Sequence, residues 1–270
     1  MQVTDKVFVV TGAGNGIGRE VVLALLSRGG LVAALDLSRE GLDETAELAT
    51  TASTDRLSTH VVDLTDRGAV EALPHAVREA HGRIDGLVNV AGIIQPFVTF
   101  ADLEYAQMEK VLDVNFWGVI HTCKAFLPHL VARREACIVN VSSMGALAPV
   151  PGQTLYGASK AAVKLFTEGL YAELHGTTVA VTVVFPGGVN TGIAAHSGVS
   201  VPGMEAAPAD LVASMTTAPD AARQIVEGIE KGSYRVVIGK DARRLDRRSR
   251  FSPQHATDVL AQKMGALLNP

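Results

Sequence analysis

The sequence predicts an α/β fold: one doubly wound sheet of about seven parallel strands with helices on both faces. Three observations carry this expectation. Seven short β-branched runs alternate with stretches of helical periodicity. The runs are continuously apolar rather than alternating, as strands covered on both faces must be. The 270 residues contain neither a linker nor an internal repeat, so residues 1–270 read as a single domain.

In chain order, a strand over 7–10 leads into a helix over 17–29, and a strand over 31–35 into a helix over 39–51. The run 59–62 precedes a helix over 66–81, and 86–89 precedes a long helical stretch over 102–133. Strands at 137–141, 179–185 and 235–238 alternate with helices at 155–175 and 219–231. Residues 190–220 depart from this pattern: they are rich in small residues, carry Pro202, Pro208 and Pro219, and show no clear strand. Their place after the sixth strand suits a lid over a pocket. Residues 231–250 carry eight Lys/Arg against two Asp. That stretch fits a solvated face, or contact with another subunit or an acidic ligand. A C-terminal extension over 240–270 has apolar positions at 256, 259, 260, 264, 267 and 268, a helical stripe that packs on its own subunit or on a neighbour.

Composition narrows the class. An apolar content of 47% argues against disorder, and a net charge of −4 argues against a phosphate backbone as the main partner. The longest apolar run, 21–26, is far short of the roughly 18 residues of a membrane span. The first strand begins almost at once, leaving no leader peptide, so the expected location is cytoplasmic. Cys123 and Cys137 are too few for a disulfide framework and read as reduced core or interface residues. No His/Cys/Asp spacing resembles a zinc site, and His121, His129 and His175 read as structural or surface residues.

The first strand runs into Thr11-Gly-Ala-Gly-Asn-Gly-Ile-Gly18, and a helix follows. Such a turn lets backbone approach a pyrophosphate at a helix N-terminus. The spacing Gly-x-x-x-Gly-x-Gly, at 12, 16 and 18, resembles the short-chain dehydrogenase/reductase family and its Rossmann-type sheet. Asp36 ends the second strand, eighteen residues beyond Gly18, where a carboxylate can accept hydrogen bonds from ribose hydroxyls. Farther on, Ser143 follows the fifth strand, and Tyr156-Gly-Ala-Ser-Lys160 begins thirteen residues later. Tyr156 and Lys160, four apart, share one helix face. A free phenol is a poor base near neutrality, and a neighbouring ammonium favours its ionised form. The phenol can then exchange a proton with a substrate oxygen.

The resemblance covers residues 5 to about 240, and it implies the remaining roles. Gly12, Asn15, Gly16, Ile17, Gly18, Asp36 and Leu37 would meet a bound NAD, as would Asp63 and Leu64 at the third strand. Asn89-Val-Ala-Gly92 resembles the family's Asn-Asn-Ala-Gly with Val90 in place of the second Asn; Ala91 and Gly92 permit close approach. Asn89 either contacts the cofactor or braces the sheet. Pro186-Gly-Gly-Val-Asn-Thr191 matches the element that holds the nicotinamide carboxamide, through Pro186, Gly187, Val189 and Thr191. The implied catalytic set is Asn115, Ser143, Tyr156 and Lys160, with Lys160 and Tyr156 also touching the cofactor, and Ser143 favoured over Ser142 by spacing. Ser159 is assigned to helix packing.

Substrate contacts are expected from Ser143, Gln153, Tyr156 and Gly187. Ile94, Gln95, Met144 and Val150 stand beside them, with lid residues Ile193, Val199, Val201, Met204, Leu211, Val212 and Met215. This mostly apolar set, free of Arg and Lys, favours a hydrophobic secondary alcohol or ketone. NAD is expected over NADP because Asp36 would repel a 2′-phosphate, Leu37 and Asn15 are uncharged, and Arg39 falls on the following helix facing solvent. The expected activity is an NAD-dependent alcohol dehydrogenase or carbonyl reductase. The alternatives are an NAD(H)-binding redox-sensing regulator without turnover and a methyltransferase on a similar sheet; the Ser–Tyr–Lys set argues against both. The helices over 102–133 and 155–175 resemble those through which the family forms tetramers, so a homotetramer is expected, with a dimer as the alternative.

Overall fold

In a computed structural model, residues 1–49, 55–203 and 215–268 are described. A seven-stranded parallel sheet runs through the molecule in the order β3-β2-β1-β4-β5-β6-β9. Its strands are β1 (Val7–Thr11), β2 (Leu31–Asp36), β3 (Leu57–Val61), β4 (Gly86–Asn89), β5 (Ala136–Val141), β6 (Val179–Pro186) and β9 (Arg235–Ile238). Strands β1, β4 and β5 are buried throughout, which explains their unbroken apolar runs. The order reverses between β1 and β4, and that switch point opens a crevice at the carboxyl ends of the strands.

Two apolar layers cover the sheet. On one face Val21, Val22 and Leu25 of α1 (Gly16–Ser27) pack with Ile225, Val226 and Ile229 of α8 (Ala218–Lys231). On the other face Val70 and Val77 of α3 (Arg67–His81) meet Phe126 and Leu130 of α5 (Gly118–Val131) and Val163 of α6 (Thr154–Glu173). Local chemistry sets several helix starts: Ser38 accepts from Gly41 N ahead of α2 (Arg39–Leu48), and Asp66 accepts from Ala69 N ahead of α3. Gly82, left-handed at φ 77°, ends α3. The helix expected over 39–51 ends at Leu48, and residues 50–51 lie outside the described set.

Two stretches differ from the sequence pattern. The region expected as one helix over 102–133 is broken: α4 (Tyr105–Leu112) and α5 are joined by a π-helical turn, Asp113–Trp117. An extra residue in one turn carries no periodicity signal, but it rotates the side chains that follow and places Asn115 inward. Within 190–220, where no strand was expected, β7 (Val189–Asn190) pairs in parallel with β8 (Thr216–Thr217), and a short helix, α7, spans Ile193–His196. Strands of two residues are too short to leave a pattern. Met204, Leu211 and Val212 lie outside the described residues. The C-terminal stripe forms α10 (Pro253–Met264), preceded by α9 (Lys240–Phe251). It packs on its own chain: Ala256 joins Leu245 and Ala148, with Met144 and Leu260 against them. Among the described residues, no helix is long and apolar enough to cross a membrane.

Candidate active site

A cleft of about 370 Å³ opens at the switch point. Gly12, Asn15, Gly16, Ile17 and Gly18 form one wall, and Asp36, Leu37, Asp63, Leu64, Ala91, Gly92 and Thr191 complete the lining from the expected set. The glycines answer to space as much as to backbone. At Gly12, with φ +68°, a Cβ would stand 2.8 Å from the Ala91 backbone; at Gly18 it would stand 1.9 Å from the Gly12 carbonyl oxygen. Asn15 does not cap α1 with its side chain, so the first amides of that helix are left for a ligand. Thr11 Oγ1 accepts from Val90 N and Ala91 N at 3.1 and 3.2 Å and ties the first and fourth strand ends together.

The acidic residues are fixed by backbone amides. Asp36 accepts from Gly14 N at 2.8 Å and from Ser38 N at 2.9 Å. Asp63 accepts from the amide and hydroxyl of Thr65 at 2.8 and 2.7 Å. Leu37 is 69% exposed, and Arg39 is exposed at the start of α2, off the cleft lining. Arg19 backs the loop from behind, donating to the Gly14 carbonyl and pairing with Glu44 at 2.5 Å. The lining also includes Val90, Ile93, Lys110, Val114, Ile193 and His196, which sequence reasoning did not single out as cofactor contacts. Lys110 and Val114 come to the cleft through α4 and the π-helical turn, so no local motif marks them.

Asn89 lies behind this wall. Its Nδ2 donates to Asn140 Oδ1 at 2.9 Å, and its Oδ1 accepts from Thr122 at 2.9 Å. Asn140 Nδ2 in turn donates to Thr167 at 3.0 Å. The Asn89 carboxamide is spent on joining β4, β5 and α5, and Asn140 extends the link to α6. Cys123 sits beside it, and burial pushes the thiols of Cys123 and Cys137 up to about 12.

Ser143, Tyr156 and Lys160 converge at the end of β5. Ser143 Oγ accepts from Gly145 N at 3.0 Å, which leaves its hydrogen free, and it neighbours Tyr156: a Cβ on Gly145 would stand 3.4 Å from Ser143 Oγ and 3.6 Å from Tyr156 Cε1. Ser142 turns away and donates to the Lys160 carbonyl at 2.7 Å, pinning α6 to β5. Lys160, 3% exposed, donates through Nζ to the Val141 carbonyl at 3.1 Å. Burial pulls its ammonium down to about 8. Burial pushes the Tyr156 phenol up, and the neighbouring Ser143 hydroxyl partly opposes that.

Asn115 faces the same spot. Its Oδ1 accepts from Ile93 N at 2.8 Å, while Nδ2 donates to the Ile93 carbonyl at 2.9 Å and to Ser159 Oγ at 3.0 Å. Ser159 passes the link on to the Tyr156 carbonyl at 2.7 Å. A Cβ on Gly92 would lie 2.9 Å from Lys160 Nζ and 3.1 Å from Asn115 Oδ1, so a small residue is needed where the three meet.

Gln95 plays a part its sequence position did not announce. Fully buried, it accepts from Leu155 N at 2.8 Å and Tyr156 N at 3.0 Å, and donates to the Gly152 carbonyl at 3.0 Å. It thereby caps α6 from outside, where the N-cap residue Gln153 makes no side-chain cap. Gln153 donates to the Gln95 carbonyl at 2.7 Å, and among the described residues its buried Oε1 meets no hydrogen-bond partner. Among the described residues, no cluster of three or more His, Cys, Asp or Glu is arranged to hold a metal.

The glycine-walled cleft, the Asp36 carboxylate and the Ser143, Tyr156 and Lys160 group all lie along the carboxyl edge of the sheet. Residues 6–199 match the family model for short chain dehydrogenases. The chain is 36% identical over 266 residues to the putative oxidoreductase SadH of Mycobacterium tuberculosis, covering 97% of this chain and 91% of that protein. A short-chain dehydrogenase/reductase from Burkholderia phymatum, solved in complex with NAD, superposes with a TM-score of 0.84 at 26% identity, covering 95% of this chain and 97% of that one. One from Burkholderia cenocepacia, solved with NADP, gives 0.79 at 25% identity, covering 96% and 99%. The chain belongs to the short-chain dehydrogenase/reductase family of oxidoreductases.

Proposed function

We propose that the protein interconverts a hydrophobic secondary alcohol and its ketone with NAD(H), with Tyr156 as acid/base. The observation that carries this reading is the meeting of Ser143, Tyr156 and Lys160 at the carboxyl end of β5, beside a glycine-walled cleft. The glycine loop, Asp36, Asp63 and Thr191 would hold the cofactor, with the 186–191 loop on its carboxamide. Bound NAD supplies the hydride acceptor and NADH the donor.

The protein's own residues manage the oxygen and its proton. Gly145 N fixes one side of the Ser143 hydroxyl, so its hydrogen is directed to the substrate oxygen and the phenol. The buried phenol stays protonated near neutrality, ready to give its proton to a ketone oxygen. In the reverse direction the Lys160 cation favours the ionised phenol. Asn115 and Ser159 hold the backbone around Tyr156, and the described residues 190–203 and 215–220 belong to the expected lid. Ser197 Oγ, on that segment, accepts from Ile94 N at 3.0 Å. The turn after Ser143 is apolar, with Met144 and Ala148 packed on Leu245, Ala256 and Leu260 of the C-terminal extension, which supports an apolar substrate. Tyr105, Trp117 and Leu165 are exposed on α4, the π-helical turn and α6, which supports assembly of the cytoplasmic enzyme into a homotetramer.

Asp36 supports NAD over NADP. Two unit charges ~4 Å apart repel by about 4 kcal/mol at an effective dielectric of ~20. Exposure and salt reduce this to about 2–3 kcal/mol, or roughly a thirty- to hundredfold preference. The test is kcat/KM for both cofactors over a panel of secondary alcohols and ketones, wild type beside Asp36→Ala with Leu37→Arg. The wild type is expected to prefer NAD and the double variant to shift toward NADP. Equal wild-type use of both refutes the role of Asp36, and NADH binding without turnover of any substrate favours a redox-sensing regulator.

A further inference from the structure

Within the basic segment 231–250, one carboxylate on an exposed residue meets the loop that follows β6. Asp241, in the first turn of α9, accepts a hydrogen bond from Gly188 N at 2.7 Å. Its carboxylate presses against the loop: a Cβ on Gly187 would stand 2.2 Å from Asp241 Oδ1 and 2.4 Å from Oδ2. Gly239, at φ +96°, is cleared on the other side, for a Cβ there would stand 2.4 Å from the same Oδ1. Two glycines distant in sequence therefore make room for one side chain. Arg243 turns elsewhere, to the Val237 carbonyl and Gln224 Oε1, and leaves Asp241 to the loop.

The same loop is anchored on its other sides. Gly187 N donates to the Ile238 carbonyl at 2.9 Å, and Thr216 N donates to the Gly188 carbonyl at 3.0 Å. Directly after these anchors come Val189 and Thr191, the residues read above as contacts to the nicotinamide carboxamide. One turn further along the same face, α9 buries Leu245 against Ala148 and Ala256, with Met144 packed alongside, next to Ser143. One helix thus touches both the 186–189 loop and the turn that begins at Ser143.

We propose that Asp241 is a positioning residue for the nicotinamide half of the cofactor: it latches the 186–189 loop to α9, and so sets Val189 and Thr191 relative to Ser143. The proposal rests on reading residues 186–191 as the carboxamide-binding element. It gives the C-terminal extension a task in cofactor geometry as well as in core packing.

The experiment measures Kd for NADH and for ADP-ribose, together with the melting temperature. ADP-ribose keeps the adenosine and pyrophosphate but lacks nicotinamide. Asp241→Ala is expected to weaken NADH by about five- to twentyfold while changing ADP-ribose less than about twofold. Asp241→Asn keeps a carbonyl acceptor for Gly188 N and is expected to recover most of that loss. Gly187→Ala, which drives a methyl group into the carboxylate, should match Asp241→Ala, and the double variant should be no worse than either single change. NADH binding unchanged in Asp241→Ala, or NADH and ADP-ribose weakened equally, overturns the latch alone. A wild type that binds neither ligand overturns the cofactor reading and the latch with it.

Discussion

At the amino edge of the sheet, Asp85 precedes β4 and is fully buried. Arg83 and Arg133 reach it from either side at 2.9 and 2.8 Å, and Val7 N donates to it at 2.9 Å. At the carboxyl edge, Lys160 is almost as deeply buried, yet among the described residues it has no carboxylate partner and meets only the Val141 carbonyl. Both charges lose water. One is compensated by two guanidinium groups that join β1, β4 and the end of α5; the other is left with its ammonium pulled down to about 8. The contrast separates a charge compensated within the fold from one left near its titration point, as the proposed role of Lys160 requires.

Substitution should separate the two edges. Asp85→Ala leaves two guanidiniums without their carboxylate and Val7 N without its acceptor. A loss of about 3 kcal/mol is expected, at the low end for a broken buried pair because both arginines keep access to water. Chemical denaturation measures it; NADH affinity at a permissive temperature should stay near wild type. An unchanged midpoint would show that the amino edge does not depend on this cluster.

Lys160→Met should act in the opposite sense on stability. A displacement from 10.5 to about 8 corresponds to roughly 3 kcal/mol of unfavourable burial. Loss of the bond to Val141 offsets part of it, so the variant is expected to gain about 1–2 kcal/mol near neutral pH while losing turnover. The sign follows from linkage. The folded value lies below the unfolded one, so between about pH 8 and 10.5 the unfolded chain binds more protons, and wild-type stability from this group rises with pH through that window. Lys160→Met should lack that rise. A variant less stable than wild type at pH 7, with the same slope, would mean that the burial is compensated after all.

The contrast between the edges also explains what the sequence reveals. The sheet is legible because its central strands β1, β4 and β5 are buried throughout and carry unbroken apolar runs. Tyr156 and Lys160 are legible because one helix face brings them together at a fixed spacing, and Gly12, Gly16 and Gly18 because a single turn contains them. Asp85 is not legible: Arg133 lies on a different element and meets it only in the finished fold. Gln95 is hidden for the same reason, since its partners are the Leu155 and Tyr156 amides at the start of another element. Asn115 is placed by a π-helical turn that a period of 3.6 residues does not reveal. Asn89 left two roles open in the sequence; the structure gives its carboxamide to Asn140 and Thr122, contacts made across three elements.

In the proposed reaction Tyr156 carries the proton, while the rest of the site binds cofactor and supports the fold. Tyr156→Phe removes only the phenolic hydroxyl, and it tests this claim most directly when turnover, NADH affinity and melting temperature are measured on one preparation. The account predicts a fall in kcat of at least about a hundredfold, with NADH affinity and melting temperature close to wild type. Turnover near the wild-type rate in the pure variant would contradict it.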